Sequence, residues 1–181
     1  MKLSRPVVAV AAVAAVLVAG QPASAAPPTE RTLTDAIDAG ASYDVLSVTL
    51  RAAPAPGKRA KVVIKHDRRA ESGDGLDLWF DLDGDREPDV YLTGLAYSEY
   101  AVYRASSFGR HGRDISDRGC FALKIQQRKA VVKLQPDCLG ESSTYAVAVR
   151  SFRAGEPPAG ADWSPGRERL SPKVQSYAAA G

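Results

Sequence analysis

Apolar and polar residues alternate with a period of two through most of this chain, which leaves little room for helices. Leu46, Val48 and Leu50 alternate with Ser47 and Thr49, the mark of a strand with one buried face. Val62 and Ile64 alternate with Lys61 and Lys65, although Val63 falls on the polar side. Leu76, Leu78, Phe80 and Leu82 alternate with Asp77, Trp79, Asp81 and Asp83. Val90–Leu95 and Glu99–Ala105 give two further strand-like runs, rich in Tyr and Val. Phe121, Leu123 and Ile125, then Val132 and Leu134, read as a hairpin across the polar turn Gln127-Arg128-Lys129. Tyr145, Val147 and Val149 make another apolar face, ended by Pro157-Pro158. No stretch sustains a 3.6-residue apolar period, and only Asp35 to Ala39 offers a single helical turn. About seven to nine short strands divided by turn signals predict an all-β antiparallel sandwich or jelly roll.

The N-terminus follows another logic. Lys2 and Arg5 precede an uncharged run from Pro6 to Gly20, and Ala23-Ser24-Ala25 supplies a small-residue cleavage site. That is the layout of a secretory signal peptide, and the run is shorter than the ~20 residues a membrane span needs. Removing residues 1–25 leaves 156 of the 181 residues and takes the formal charge from +3 to +1. A near-neutral mature chain carries no general affinity for nucleic acid or, once the signal is cleaved, for membranes. Residues 26–34, with Pro27-Pro28, read as a flexible leader, residues 35–177 as one domain and 178–181 as a flexible tail. The expectation is a secreted monomer.

Cys120 and Cys138 are the only cysteines. In an oxidising compartment such a pair forms a disulfide, here clamping the open ends of the predicted hairpin. With His111 the one histidine nearby, the pair makes a poor zinc site.

The most informative segment is the turn Asp81-Leu82-Asp83-Gly84-Asp85-Arg86-Glu87-Pro88-Asp89. Calcium takes six to eight oxygen ligands, and alternate carboxylates of a tight turn can aim at one centre. The candidate ligands are Asp81, Asp83, Asp85 and Asp89, with Glu87 contributing its backbone carbonyl. Calcium would be the one cofactor, in a structural role. An EF-hand does not fit, because Arg86 stands where that loop has glycine and Leu92 where it has glutamate. Two other readings stay open: a solvated acidic turn shaped by Asp-Gly and Glu-Pro, and an acid/base pair.

The spacing resembles the D-x-D-G-D-x-x-x-D calcium loops that join β-strands in FG-GAP-type repeats, with Arg86 in place of the usual glycine. Further pieces are Asp35-Ala36-Ile37-Asp38, the run Tyr43-Asp44-Val45 to Leu50, Gly119-Cys120, Asp137-Cys138-Leu139-Gly140 and Asp162-Trp163-Ser164-Pro165. Together they resemble small secreted β-sandwich proteins of high-GC actinobacteria, related in outline to DOMON domains and family 9 carbohydrate-binding modules. The resemblance spans nearly all of the mature chain and implies fold and location rather than chemistry.

No G-x-S-x-G elbow accompanies His66 or His111, and no glycine-rich phosphate loop precedes a helix. Both histidines sit in polar surroundings and read as solvated. Trp79, Tyr91 and Tyr103 fall on the non-core side of their strands, where planar rings could stack on sugars or be covered by a second layer. The expected role is a non-catalytic binding or cell-surface accessory domain, with extracellular or cell-wall carbohydrate as the ligand class. The alternative is a secreted hydrolase, or an inhibitor of one, using a loop such as Arg110-His111-Gly112-Arg113.

Overall fold

The computed structural model describes residues 25–38, 40–138, 140, 142–157 and 160–178. The expected signal peptide, apart from Ala25, and residues 179–181 of the expected tail lie outside the described residues. Period-two patterning yields strands throughout: β1 (Glu30–Thr34), β2 (Val45–Arg51), β3 (Ala60–His66), β4 (Asp74–Asp81), β5 (Val90–Leu95) and β6 (Tyr100–Ser107). They continue as β7 (Arg110–Asp114), β8 (Phe121–Gln126), β9 (Lys129–Leu134), β10 (Thr144–Arg153), β11 (Asp162–Ser164) and β12 (Val174–Gln175). A 3-10 turn, Ser116–Arg118, separates β7 from β8.

One sheet has five strands in the order β1-β2-β3-β9-β8, and the other has seven, ordered β11-β10-β4-β5-β6-β7 with β12 also on β10. Every strand pairing is antiparallel. The two sheets face each other across one core. Val48, Leu50, Val62, Ile64, Val132 and Leu134 of the first meet Leu76, Leu78, Phe80, Leu92, Tyr145 and Val147 of the second. Each of these side chains is fully buried, and burying one of this size stabilises the fold by about 1.5–3 kcal/mol. The chain is therefore an antiparallel β-sandwich.

Cys120 and Cys138 form the expected disulfide, with a Cα–Cα distance of 5.5 Å. It sits at the open end of the β8–β9 hairpin, where Gln135 N also donates to Cys120 O at 2.9 Å.

Several boundaries differ from those read in sequence. Glu30–Thr34 is a strand paired with Thr34↔Ser47 to Glu30↔Arg51, so the leader ends before Glu30. Ala178, expected to open a flexible tail, is instead tied to the fold, its N donating to Ala53 O at 2.8 Å. Arg110–Asp114 is an edge strand rather than a loop, and all five of its residues are exposed. A strand with no buried face has no apolar alternation to reveal it. Strand β2 carries a bulge between Val45 and Ser47, which buries Val45 and leaves Leu46 half-exposed. That extra residue reverses which side faces inward before the alternation resumes at Val48.

Candidate functional site

The Asp81–Asp89 turn links β4 to β5 at one end of the larger sheet. Carboxylate oxygens of Asp81, Asp83 and Asp89 come within 4.8 Å of one another. Asp81 is buried, Asp89 half-buried and Asp83 exposed. The turn also organises itself through its own backbone. Asp81 accepts from Gly84 N at 2.6 Å and Arg86 N at 3.1 Å, and Asp89 accepts from Leu82 N at 2.7 Å. Burial first, then the charges of Asp83 and Asp81, raise the Asp89 pKa above the ordinary carboxylate value, although its bond from Leu82 opposes this.

The Asp85 carboxylate does not join the group. It is exposed and accepts from Glu87 N at 2.7 Å. Arg86 takes a left-handed backbone, with φ 75, where a β-carbon costs about 1–2 kcal/mol. Gly84 has a left-handed φ of 88 that disfavours a β-carbon, which would also displace the Lys173 ammonium, 2.5 Å from its position. That ammonium donates to Gly84 O and places one positive charge against the acidic turn.

Trp79, Tyr91 and Tyr103 share the outer face of the larger sheet, as the alternation implied. They are not an open platform. Trp79 is 3% and Tyr91 9% exposed, beneath a second layer of Phe108, Trp163 and Leu170. Trp163 stacks on Trp79 at 5.1 Å between ring centroids, and His111 stacks on Tyr91 at 3.7 Å. Stacking of a sugar on Trp79 or Tyr91 is thereby ruled out in this conformation, and only the half-buried Tyr103 retains an accessible part.

Beneath the layer lies an ion pair whose carboxylate is buried and whose guanidinium is half-buried. Asp77 accepts from Tyr91 Oη at 2.7 Å and from Arg150 Nε at 2.8 Å, while the Arg150 guanidinium lies over the rings of Trp79, Phe152 and Trp163. Asp77 and Trp79, which alternation assigned to the polar side, are buried like the core residue Leu78 between them, and β4 is covered on both faces.

Between the acidic turn and the segment after β11 lies a cleft of about 850 Å³. Asp81, Arg86, Glu168, Arg169 and Lys173 supply charges of both signs, and Phe108, Leu170, Pro165 and Pro172 supply apolar wall. A concave site with apolar surface and a few convergent polar groups is the general form of a ligand-binding site. Asp81 belongs both to this cleft and to the carboxylate group. Sequence reading missed the cleft because Pro165–Lys173 reaches it only through the tertiary fold.

A second acidic constellation lies at the β11 edge of the larger sheet, toward the end of β4 away from Asp81. Carboxylate oxygens of Asp38, Asp44 and Asp162 also come within 4.8 Å of one another. Burial chiefly, with the charges of Asp35 and Asp44 added, raises the Asp162 pKa to about 6. Beside it, His66 is buried rather than solvated. Its ring stacks on Tyr43 at 3.8 Å, and burial lowers its pKa to about 4 against the opposing pull of the Asp44 backbone carbonyl.

No protein-family model, curated protein or solved structure matches the chain. Its class rests on the fold itself: a two-sheet antiparallel β-sandwich with one disulfide.

Proposed function

We propose that the mature protein is an exported, non-catalytic binding module that holds a hydroxyl-rich ligand, carbohydrate by class, in the cleft beside the acidic turn. The observation that carries this reading is the cleft of about 850 Å³, in which Phe108 and Leu170 lie among Asp81, Arg86, Glu168 and Arg169. Carboxylates and guanidinium groups pair with vicinal hydroxyls through two parallel hydrogen bonds, and an adjacent ring covers the apolar face of a sugar. The disulfide supports export, because such bonds persist in oxidising compartments. Calcium on Asp81, Asp83 and Asp89 would fix one wall of the cleft, since each carboxylate can accept a backbone N–H and still offer a lone pair.

Two measurements test the reading. A glycan array probed with mature protein should return a binder, and Arg86→Ala and Phe108→Ala should each weaken that binder at least tenfold by calorimetry. An array without binders, or affinity unmoved by both substitutions, would reject the cleft. For the ion, calcium should raise the melting temperature of chelator-treated protein more than it raises that of Asp83→Asn. Equal responses would remove the acidic turn as a calcium site.

A further inference from the structure

We infer that Asp38, Asp44 and Asp162 form a second site, for a hard divalent cation of the calcium class, separate from the cleft and its acidic turn. Asp38 and Asp44 lie in the connection from β1 to β2, whereas Asp162 opens β11 at the edge of the other sheet. The fold closes more than one hundred residues of chain to bring their carboxylates within 4.8 Å. Asp44 is 1% and Asp162 3% exposed, so neither disperses its charge into solvent, while Asp38 closes the group from the surface.

The orphaned oxygen of Asp44 is what points to a ligand. Asp44 Oδ1 accepts from Asp38 N at 3.2 Å, and Asp162 Oδ2 accepts from Val45 N at 2.7 Å. One oxygen of each is thus anchored by the backbone. Asp44 Oδ2 is buried, and no donor of the described residues reaches it. A buried carboxylate oxygen without a partner is among the most costly groups a fold can hold. Asp74 and Asp77 avoid that cost through arginine: Arg68 donates to both oxygens of Asp74, and Arg150 meets Asp77, whereas Asp67 Oδ1, close in sequence to His66, is also buried without a partner. At Asp44 the surrounding charge is instead of the same sign, since the fields of Asp35 and Asp67 reach it as well. Three carboxylates with preset orientations and one free buried oxygen call for a cation, not for another acid.

The donor set selects the metal. All three side chains offer oxygen, which suits calcium or magnesium and disfavours metals that seek imidazole or thiolate. Ligands drawn from an irregular connection and a strand end suit the loose coordination shell of calcium better than the strict octahedron of magnesium. A cation there would tie the first sheet to β11, and so to Trp163 and the layer over the outer face. It would act as a clip between the two sheets.

Calorimetric titration of calcium into the chelator-treated Asp83→Asn protein isolates this site, because the acidic turn is then disabled. One calcium should bind, with a Kd of about 0.1–1 mM as in other extracellular modules, and calcium should still raise the melting temperature. Adding Asp38→Asn, an exposed position whose substitution leaves the packing intact, should weaken that binding at least tenfold and abolish the thermal shift. Absence of calcium binding in Asp83→Asn, or unchanged binding when Asp38→Asn is added, would overturn the inference. Failure of the acidic turn alone shows differently, as identical titrations of wild type and Asp83→Asn.

Discussion

His66 is 1% exposed and stacked on Tyr43, so charging it would place an unpaired cation in the interior. Its pKa falls to about 4 from an ordinary 6.5. The folded state therefore binds fewer protons than the unfolded chain between those values. The resulting stabilisation, on the order of 3 kcal/mol, is fully present above pH 6.5 and lost as pH falls toward 4. Asp162 has the opposite sign in an overlapping window, because its pKa rises to about 6 from 3.8. Global stability is thus flatter in acid than His66 alone would make it. NMR titration of the imidazole isolates the effect: His66 should stay neutral down to about pH 4, and protonation near pH 6.5 would contradict its burial. The Asp77–Arg150 pair gives a second expectation. Asp77 is 1% exposed on its side chain and Arg150 33%, so an abandoned Asp77 suffers more than an abandoned Arg150. Arg150→Met should cost about 3–5 kcal/mol and Asp77→Asn nearer 1–2 kcal/mol, measured by urea unfolding. A larger loss for Asp77→Asn would show that the guanidinium left without its carboxylate carries the greater penalty, against the order expected from burial.

Among the elements, β5 shows how closely the two sheets approach. A β-carbon on Gly94 would lie 2.7 Å from Leu123 Cδ2 of the opposite sheet and 2.9 Å from Tyr100 Cβ of the neighbouring strand. Gly94→Ala should destabilise by about 1–3 kcal/mol through overpacking, and a double variant with Leu123→Ala should recover part of that loss. Full additivity of the two changes would show that Leu123 is not the obstructing group. The central strands were legible because a core on one face imposes alternation, as in Val62, Ile64, Leu76 and Leu78. The elements that escaped reading lack that signal. Strand β7 is exposed along its length, β11 and β12 are three and two residues long, and β1 alternates exposed with half-exposed positions only. The outer face of β4 misled for the opposite reason, since Asp77 counts as polar in sequence whether it meets water or Arg150.

For the whole molecule, the disulfide is the one covalent tie between distant chain positions, with a sequence separation of 18. Reduction, or Cys120→Ser with Cys138→Ser, should lower stability by about 3 kcal/mol in the chain-entropy account. Near-UV circular dichroism should retain its native shape, because the sheets close through the core without the bridge. Collapse of that signal on reduction would assign the bridge a larger role. The sequence by itself determined strand character, the layered class, the cysteine pairing and the acidic turn, all of which follow from local periodicity or short spacing. Only the tertiary structure decided which acids act together. It set the Asp85 carboxylate apart from those of Asp81, Asp83 and Asp89, and it covered Trp79. It also brought Asp38 and Asp44 to Asp162. Local pattern records which residues a strand turns inward; it holds no record of what a second layer later covers or of which distant carboxylates the closed sandwich sets side by side.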